Sequence, residues 1–226
     1  MSEHPPAIVA RLSSLTPGRP SSQQVILEEI RRVILAGEAP PGTPIPLDAV
    51  ARFFAVSPIP VRESLKTLIG EGLVDHEPRG GYRVARLTRD EMLEFYVIRE
   101  VLEAAALRSA VDRATPADDA AVAGIHAVLG EAIAAEDARA YHRESRRFHL
   151  TLLAPSRMHR LLHMFELAWN VTEPAQPMAA VDASQMRLMH ADHAAMLAAF
   201  TARDADELVR CSRQHYGRLE QPVDRS

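Results

Sequence analysis

Between Ser21 and Ala85 the chain compresses three short helix-patterned segments and one hairpin pattern into about 65 residues, and few folds accommodate that grouping. The first helix pattern is capped by Ser21 or Ser22 and carries Val25, Ile26, Ile30, Val33 and Ile34 on one stripe. It stops at Gly37, before the turn-rich Ala39-Pro40-Pro41-Gly42-Thr43-Pro44. A second runs from Leu47 to Phe54, with Val50, Phe53 and Phe54 apolar. Ser57 suits the cap of the third, where Pro58 and Pro60 fall in the first turn and their missing N–H groups cost little. That helix reaches Glu71, and Gly72 ends it. Leu73–Glu77 and Tyr82–Ala85 then read as two extended runs about the Gly80-Gly81 turn.

From Thr88 onward every segment has helical periodicity, over 88–114, 117–135, 137–154, 157–172, 183–202 and 204–219. Thr88 and Glu91 form a capping-box pattern, and Thr115-Pro116 and Glu173-Pro174 mark breaks. Aromatic residues make up only 5% while Ala and Leu are abundant, which favours packed helices over a β-sandwich. The expected fold is mainly α: a winged helix-turn-helix at 21–87, α+β with a small hairpin wing, then an all-α antiparallel helical bundle at 88–226. Residues 1–20, rich in Pro and Ser, read as a flexible arm. The lone Cys211 permits no internal disulfide and suits a reducing compartment. The N-terminus lacks a signal-peptide pattern, and no apolar run reaches the ~18 residues of a membrane span, so a cytoplasmic location is expected.

The formal net charge of −4 does not advertise a nucleic-acid binder. Residues 1–87 carry ten Arg/Lys against nine Asp/Glu, the remainder sixteen against twenty-one, so any DNA contact must come from a local patch. The third helix offers one. Val61, Leu65 and Leu68 form its inner face, leaving Ile59, Arg62, Glu63 and Lys66 outside, with Ser57 and Pro58 at its start. Such a helix can place its first turn in the major groove, where Arg paired with guanine is the commonest specific contact. Arg79 and Arg83 flank the Gly-Gly turn as a wing tip would require.

The stretches Ile34-Leu35-Ala36-Gly37, Pro41-Gly42, Val56–Leu65, Glu71-Gly72-Leu73-Val74 and Arg79–Val84 together resemble the GntR family. Tyr96-Val97-Ile98-Arg99-Glu100-Val101-Leu102-Glu103 resembles the start of the FCD sensing domain of its FadR-type subgroup. The resemblance runs from about 24 to 217 and implies a homodimeric transcription regulator, more often a repressor, that binds a double-stranded DNA operator and a small organic-acid effector. Two positions depart from the family. Pro58 stands where an Arg usually follows the first residue of the recognition helix, and Asp48 replaces a basic residue at the start of the second helix, so of three usual Arg contacts only Arg62 remains.

Ten His are present, and three stand on different helix patterns of the second half: His149, His193 and His215. Imidazoles converging from three helices can hold a divalent ion such as Zn²⁺ and leave a position open. The separations match the metal-binding trio of the resembled domain. The carboxylate implied one turn before the first His does not: that position is Ser145, and Glu144 points roughly 140° away from His149. Three readings stay open: a metal site at His149, His193 and His215, a metal-free pocket for an anion, or satisfied core histidines. Arg99 and Glu103, at i and i+4, suit either an intrahelical ion pair or a clamp in which Arg99 takes an effector carboxylate. Ser145 and His190, with Trp169 and Asn170, complete the expected effector pocket. Arg146-Arg147 and the His159/His163 pair read as surface.

No catalytic residues are assigned, since no His-Glu-x-x-His pair supplies a base beside a metal. A metal-dependent hydrolase is therefore the weaker rival. The stronger one is a ligand-binding helical protein that has lost operator binding, as Asp48 and Pro58 would allow.

Overall fold

The computed structural model describes residues 6–12, 22–175 and 182–223. The chain divides into two compact units, Met1–Thr88 with Asn170–Gln176, and Arg89–Trp169 with Pro177–Ser226. Among the described residues, no helix is long and apolar enough to cross a membrane.

The first unit contains α1 (Ala7–Arg11), α2 (Gln23–Leu35), α3 (Leu47–Phe53) and α4 (Pro58–Gly70), with strands β1 (Pro44–Ile45), β2 (Val74–Glu77) and β3 (Gly81–Val84). Ser22 caps α2, its side chain accepting from the Val25 N–H at 3.3 Å. Ile26, Ile30, Val33 and Ile34 of α2, Val50 of α3 and Val61, Leu65 and Leu68 of α4 are fully buried in one core. Val25 stands at the edge of that stripe, 37% exposed. Two polar ties reinforce the packing: the buried Ser64 hydroxyl donates to the Gln23 carbonyl at 3.1 Å, and Arg31 grips Glu71 through Nε and Nη2 at 2.9 and 2.6 Å.

Three expectations are corrected here. The described part of the N-terminal arm is helical: Ile8 and Leu12 are fully buried in the first core, so apolar burial outweighs the Pro- and Ser-rich composition there. The rest of residues 1–20 lies outside the described residues. Pro44 and Ile45, expected in a connection, form a third strand, giving an antiparallel sheet in the order β1-β3-β2. Proline is tolerated there because the strand is at an edge. Ser57 precedes α4 in extended conformation but forms no side-chain cap; Pro60, third residue of the helix, lacks an N–H that such a cap would serve.

The second unit holds α5 (Arg89–Val111), α6 (Pro116–Ala134), α7 (Ala138–Leu153), α8 (His159–Thr172) as far as Trp169, α9 (Ala183–Thr201) and α10 (Ala205–Val223). The helix ends follow local signals. Thr115 and Asp118 form a capping box on α6, Asp137 caps α7, and Asp182 with Gln185 form a second box on α9. The core is built from Leu107, Val122, Leu129, Phe148, Phe165, Met196, Phe200 and Leu208, all fully buried. The fold is thus mainly α, a small winged unit plus a helical unit.

Candidate functional site

The three histidines sit on the inner stripes of α7, α9 and α10. On α9 the spacing Met189, His193, Met196, Phe200 is that of a buried face, so His193 enters the interior because its neighbours are apolar. His149 and His193 are 0% exposed and His215 2%. Their rings converge, with centroids 5.2 Å apart for His149–His193, 5.1 Å for His149–His215 and 4.5 Å for His193–His215. One nitrogen from each ring lies within 4.8 Å of the others, and His149 and His193 approach Nε2 to Nε2 at 3.3 Å. At that distance the two nitrogens share one proton or turn two lone pairs toward one cation.

The surrounding groups choose tautomers. Glu103 of α5, fully buried, accepts from His149 Nδ1 at 2.6 Å, which leaves Nε2 as a lone pair directed at the cluster. Burial alone would raise the Glu103 carboxyl, but the adjacent His149 outweighs it and holds the group below its ordinary range. Tyr141 Oη lies 3.5 Å from His193 Nδ1. Burial, reinforced by the neighbouring imidazoles, keeps His193 well below its ordinary value; burial also lowers His215, against an opposing pull from Asp192. Both rings are therefore neutral at physiological pH, the form that ligates a metal. Asp192 lies 3.8 Å from His215 Nδ1 and is itself fixed by Gln214 and Arg218 at 3.1 and 2.7 Å. His215 Nδ1 is buried without a hydrogen-bond partner among the described residues. Three imidazoles, one backed by a carboxylate, fit a borderline divalent cation such as Zn²⁺.

Beside this cluster Tyr96, Arg99, His142, Ser145, Trp169, Met189, His215 and Leu219 line a cavity of about 20 Å³, enough for roughly one water. Arg99 is 3% exposed, its guanidinium 3.4 Å from the Trp169 ring centroid and 5.5–5.6 Å from those of Tyr216 and Tyr96. The intrahelical Arg99–Glu103 ion pair does not form: Glu103 is turned to His149, and Arg99 Nε has no hydrogen-bond partner among the described residues. Ser145 is buried at the cavity wall, whereas Glu144 faces away and binds Arg143 and Arg147 at 3.1 and 3.4 Å. His190 is not among the lining residues; it stacks on His126 with centroids 4.1 Å apart. Asn170 is likewise absent from the lining, and His159 and His163 are exposed.

Two contributors escaped the sequence reading. Glu103 was legible only as a partner for Arg99, although Tyr96, Arg99, Glu103 and Ala106 at helical spacing form a buried face with two charges on it, and that was the available signal. Asp192 gave no signal beyond its place next to His193.

In the first unit the outer face of α4 presents Ser57, Pro58, Ile59 (66% exposed) and Arg62. Arg62 and Arg79 have no ion-pair partner among the described residues, but Lys66 is bonded to Glu63 at 2.9 Å and Arg83 to Glu77 at 3.1 Å. Arg79 occupies the wing turn with φ 69°. Asp48 is exposed in the first turn of α3, where a carboxylate is favoured by the helix dipole.

Residues 94–218 match the FCD domain family, and residues 22–84 match the bacterial regulatory proteins of the gntR family. The chain is 25% identical over 194 residues to the HTH-type transcriptional repressor GlaR of Escherichia coli (strain K12), covering 82% of this chain and 88% of that one. It is 33% identical over 86 residues to the uncharacterized HTH-type transcriptional regulator YdhC of Bacillus subtilis (strain 168), a match that spans only 38% of that relative's length. The solved structure of McbR/YncC from E. coli has the same fold, with a TM-score of 0.79 at 23% identity over 91% of this chain and 98% of that one.

Proposed function

The chain belongs to the FadR-type, FCD-bearing branch of the GntR family of bacterial transcription regulators, and on that premise we propose that it is a repressor controlled by a small carboxylate bound beside His149, His193 and His215. The observation that carries this reading is Arg99: a buried guanidinium stacked on Trp169, without an anionic partner among the described residues, at the wall of a cavity shared with His215. A buried cation without a counter-ion is costly, and an incoming carboxylate removes that cost.

His149, His193 and His215 would hold a divalent ion, and that ion would supply Lewis-acid attraction for an effector oxygen. Glu103 fixes the His149 tautomer, Arg99 orients a carboxylate, Ser145 donates or accepts a hydrogen bond, and Trp169 excludes water. In the first unit Arg62 and Ile59 would read bases in the major groove, with Ser57, Pro58, Glu63 and Lys66 around them, while Arg79 and Arg83 lie against phosphate or minor groove. The domain division in this reading is 21–87 for DNA and 88–226 for sensing and pairing of two copies. Effector binding shifts the population between two arrangements of the paired chains, and operator affinity follows.

The test is a mobility shift on DNA upstream of the protein's own gene, titrated with mono-, di- and tricarboxylates, beside metal analysis of the intact protein. One carboxylate class should release the DNA and raise the Tm, Arg99→Met should abolish both effects, and His193→Ala should lose bound metal. Equal metal in both proteins would sink the ligand assignment. No carboxylate effect would sink the effector class. A folded protein that shifts no DNA at low salt would favour the ligand-binding protein without operator activity, as Asp48 and Pro58 suggest.

A further inference from the structure

The turn between β2 and β3 holds an arginine in a conformation that its Cβ disfavours. The Gly80 N–H donates to the Glu77 carbonyl at 3.0 Å, closing a four-residue turn over Glu77-Pro78-Arg79-Gly80. Arg79, its third residue, lies in the left-handed region at φ 69°. Turns with Pro in second place and a positive φ in third usually have glycine or asparagine there. Here the glycines come one and two places later, and an exposed arginine carries the strain. Such strain persists only where the surroundings over-determine it, and it gathers at functional positions.

Three features over-determine this turn. Pro78 pre-sets its own φ. On one face of the hairpin His76 and Tyr82, directly opposite in register, pack their rings with centroids 4.6 Å apart. On the other face Glu77 stands opposite Gly81, which has no side chain, and its carboxylate reaches diagonally to Arg83, 3.1 Å from Oε2 to Nη2. The two glycines serve different ends. Gly81 has φ 75° and open space around it. Gly80 has no positive φ but needs the room: a Cβ there would stand 2.6 Å from Glu77 Oε2, 2.9 Å from Glu77 Cβ and 3.4 Å from Arg83 Nη2. The ion pair therefore lies across Gly80, the residue next to Arg79. With side chains 28% and 56% exposed, the pair adds little to stability, so its effect is on geometry.

We infer that Glu77, Gly80 and Arg83 are positioning residues that hold the strained Arg79 toward DNA, with Arg83 acting through Glu77 and Arg79 making the contact. This rests on the proposal that the first unit binds an operator, and it divides the roles of two arginines which that proposal places together.

The test is fluorescence anisotropy of the full chain on a duplex from upstream of its own gene, across a salt series. Glu77→Gln and Arg83→Gln change the charge of the wing in opposite directions, so a purely coulombic role would move affinity in opposite directions. A positioning role lowers both, by roughly 2- to 5-fold, with the salt slope unchanged and the double variant no weaker than the weaker single. Gly80→Ala should give a similar loss. Arg79→Gln should lose ~10-fold and make the slope shallower by about 0.9 per copy. Arg79→Gly should lose as much affinity without a fall in Tm, since glycine relieves the left-handed position. Tighter binding by Glu77→Gln, a slope shallower by about 0.9 per copy for Arg83→Gln, or a Gly80→Ala variant that binds as the parent does would each overturn the assignment. A clear fall in Tm for Arg79→Gly would overturn the strained placement it starts from. A parent protein that binds neither this duplex nor a scrambled one at low salt would overturn the regulatory reading and this role with it; the other results overturn the role alone.

Discussion

Glu103 and Arg99 lie one helical turn apart, yet each spends its charge elsewhere, and this division of labour makes the interior of the second unit chemically specific. Glu103 fixes His149 at 2.6 Å, and Arg99 lies over Trp169 with no carboxylate partner among the described residues. Adjacent positions on a helix permit an ion pair but do not decide it; in a buried site a carboxylate goes to the partner that satisfies it best in the available geometry. Glu103→Gln retains shape and removes the charge that fixes the His149 tautomer. It should weaken metal affinity ~10–100-fold in a chelator competition, with helix content by circular dichroism unchanged. An unchanged affinity would mean that His149 is not oriented for a metal through Glu103. Ser145, the position where the family pattern implies a carboxylate, is buried at the cavity wall, so an ion held by the three histidines would take its fourth ligand from solvent or an effector.

At the scale of elements, the connection between α3 and α4 sets how the outer face of α4 is presented. Its turn is closed by the Val56 N–H donating to the Ala51 carbonyl at 3.1 Å, and it passes through Ala55 at φ 52°. A left-handed residue with a Cβ is strained by roughly 1–2 kcal/mol, part of which a glycine forfeits because its freer unfolded chain loses more entropy on folding. Ala55→Gly should therefore stabilise the first unit, by up to about 1 kcal/mol in urea unfolding; a clear loss of stability would show that the Ala55 methyl packs productively. The helices themselves were legible from apolar periodicity and caps: spans expected at 117–135 and 183–202 are observed as Pro116–Ala134 and Ala183–Thr201. The short strand Pro44–Ile45 was not, because two residues carry no period and its pairing to Tyr82 and Arg83 is set by chain reversal nearly forty residues away.

At the scale of the molecule, electrostatics separates this chain from a strongly basic DNA binder. Its net charge is −4, and of the cations on the proposed reading face Lys66 and Arg83 are already paired with Glu63 and Glu77. Few phosphates are then neutralised on binding, so the logarithm of operator affinity should fall with log salt at a slope near that of two or three contacts per copy, about −0.9 for each. Fluorescence anisotropy across a salt series measures it, and a slope implying many contacts per copy would show that the paired cations are released to DNA. The amino-acid sequence determined the helix pattern, the hairpin, the family and the three histidines, because apolar periodicity, turn residues and motif order are local properties of the chain. Tertiary structure alone decided that the histidines meet, that Glu103 turns to His149 and not to Arg99, that Ile8 and Leu12 enter the first core, and that Val97, Ile98 and Val101 stay exposed. Each of these depends on which residues of distant segments come within a few ångströms, and that follows from how helix faces pack, not from any spacing along the chain.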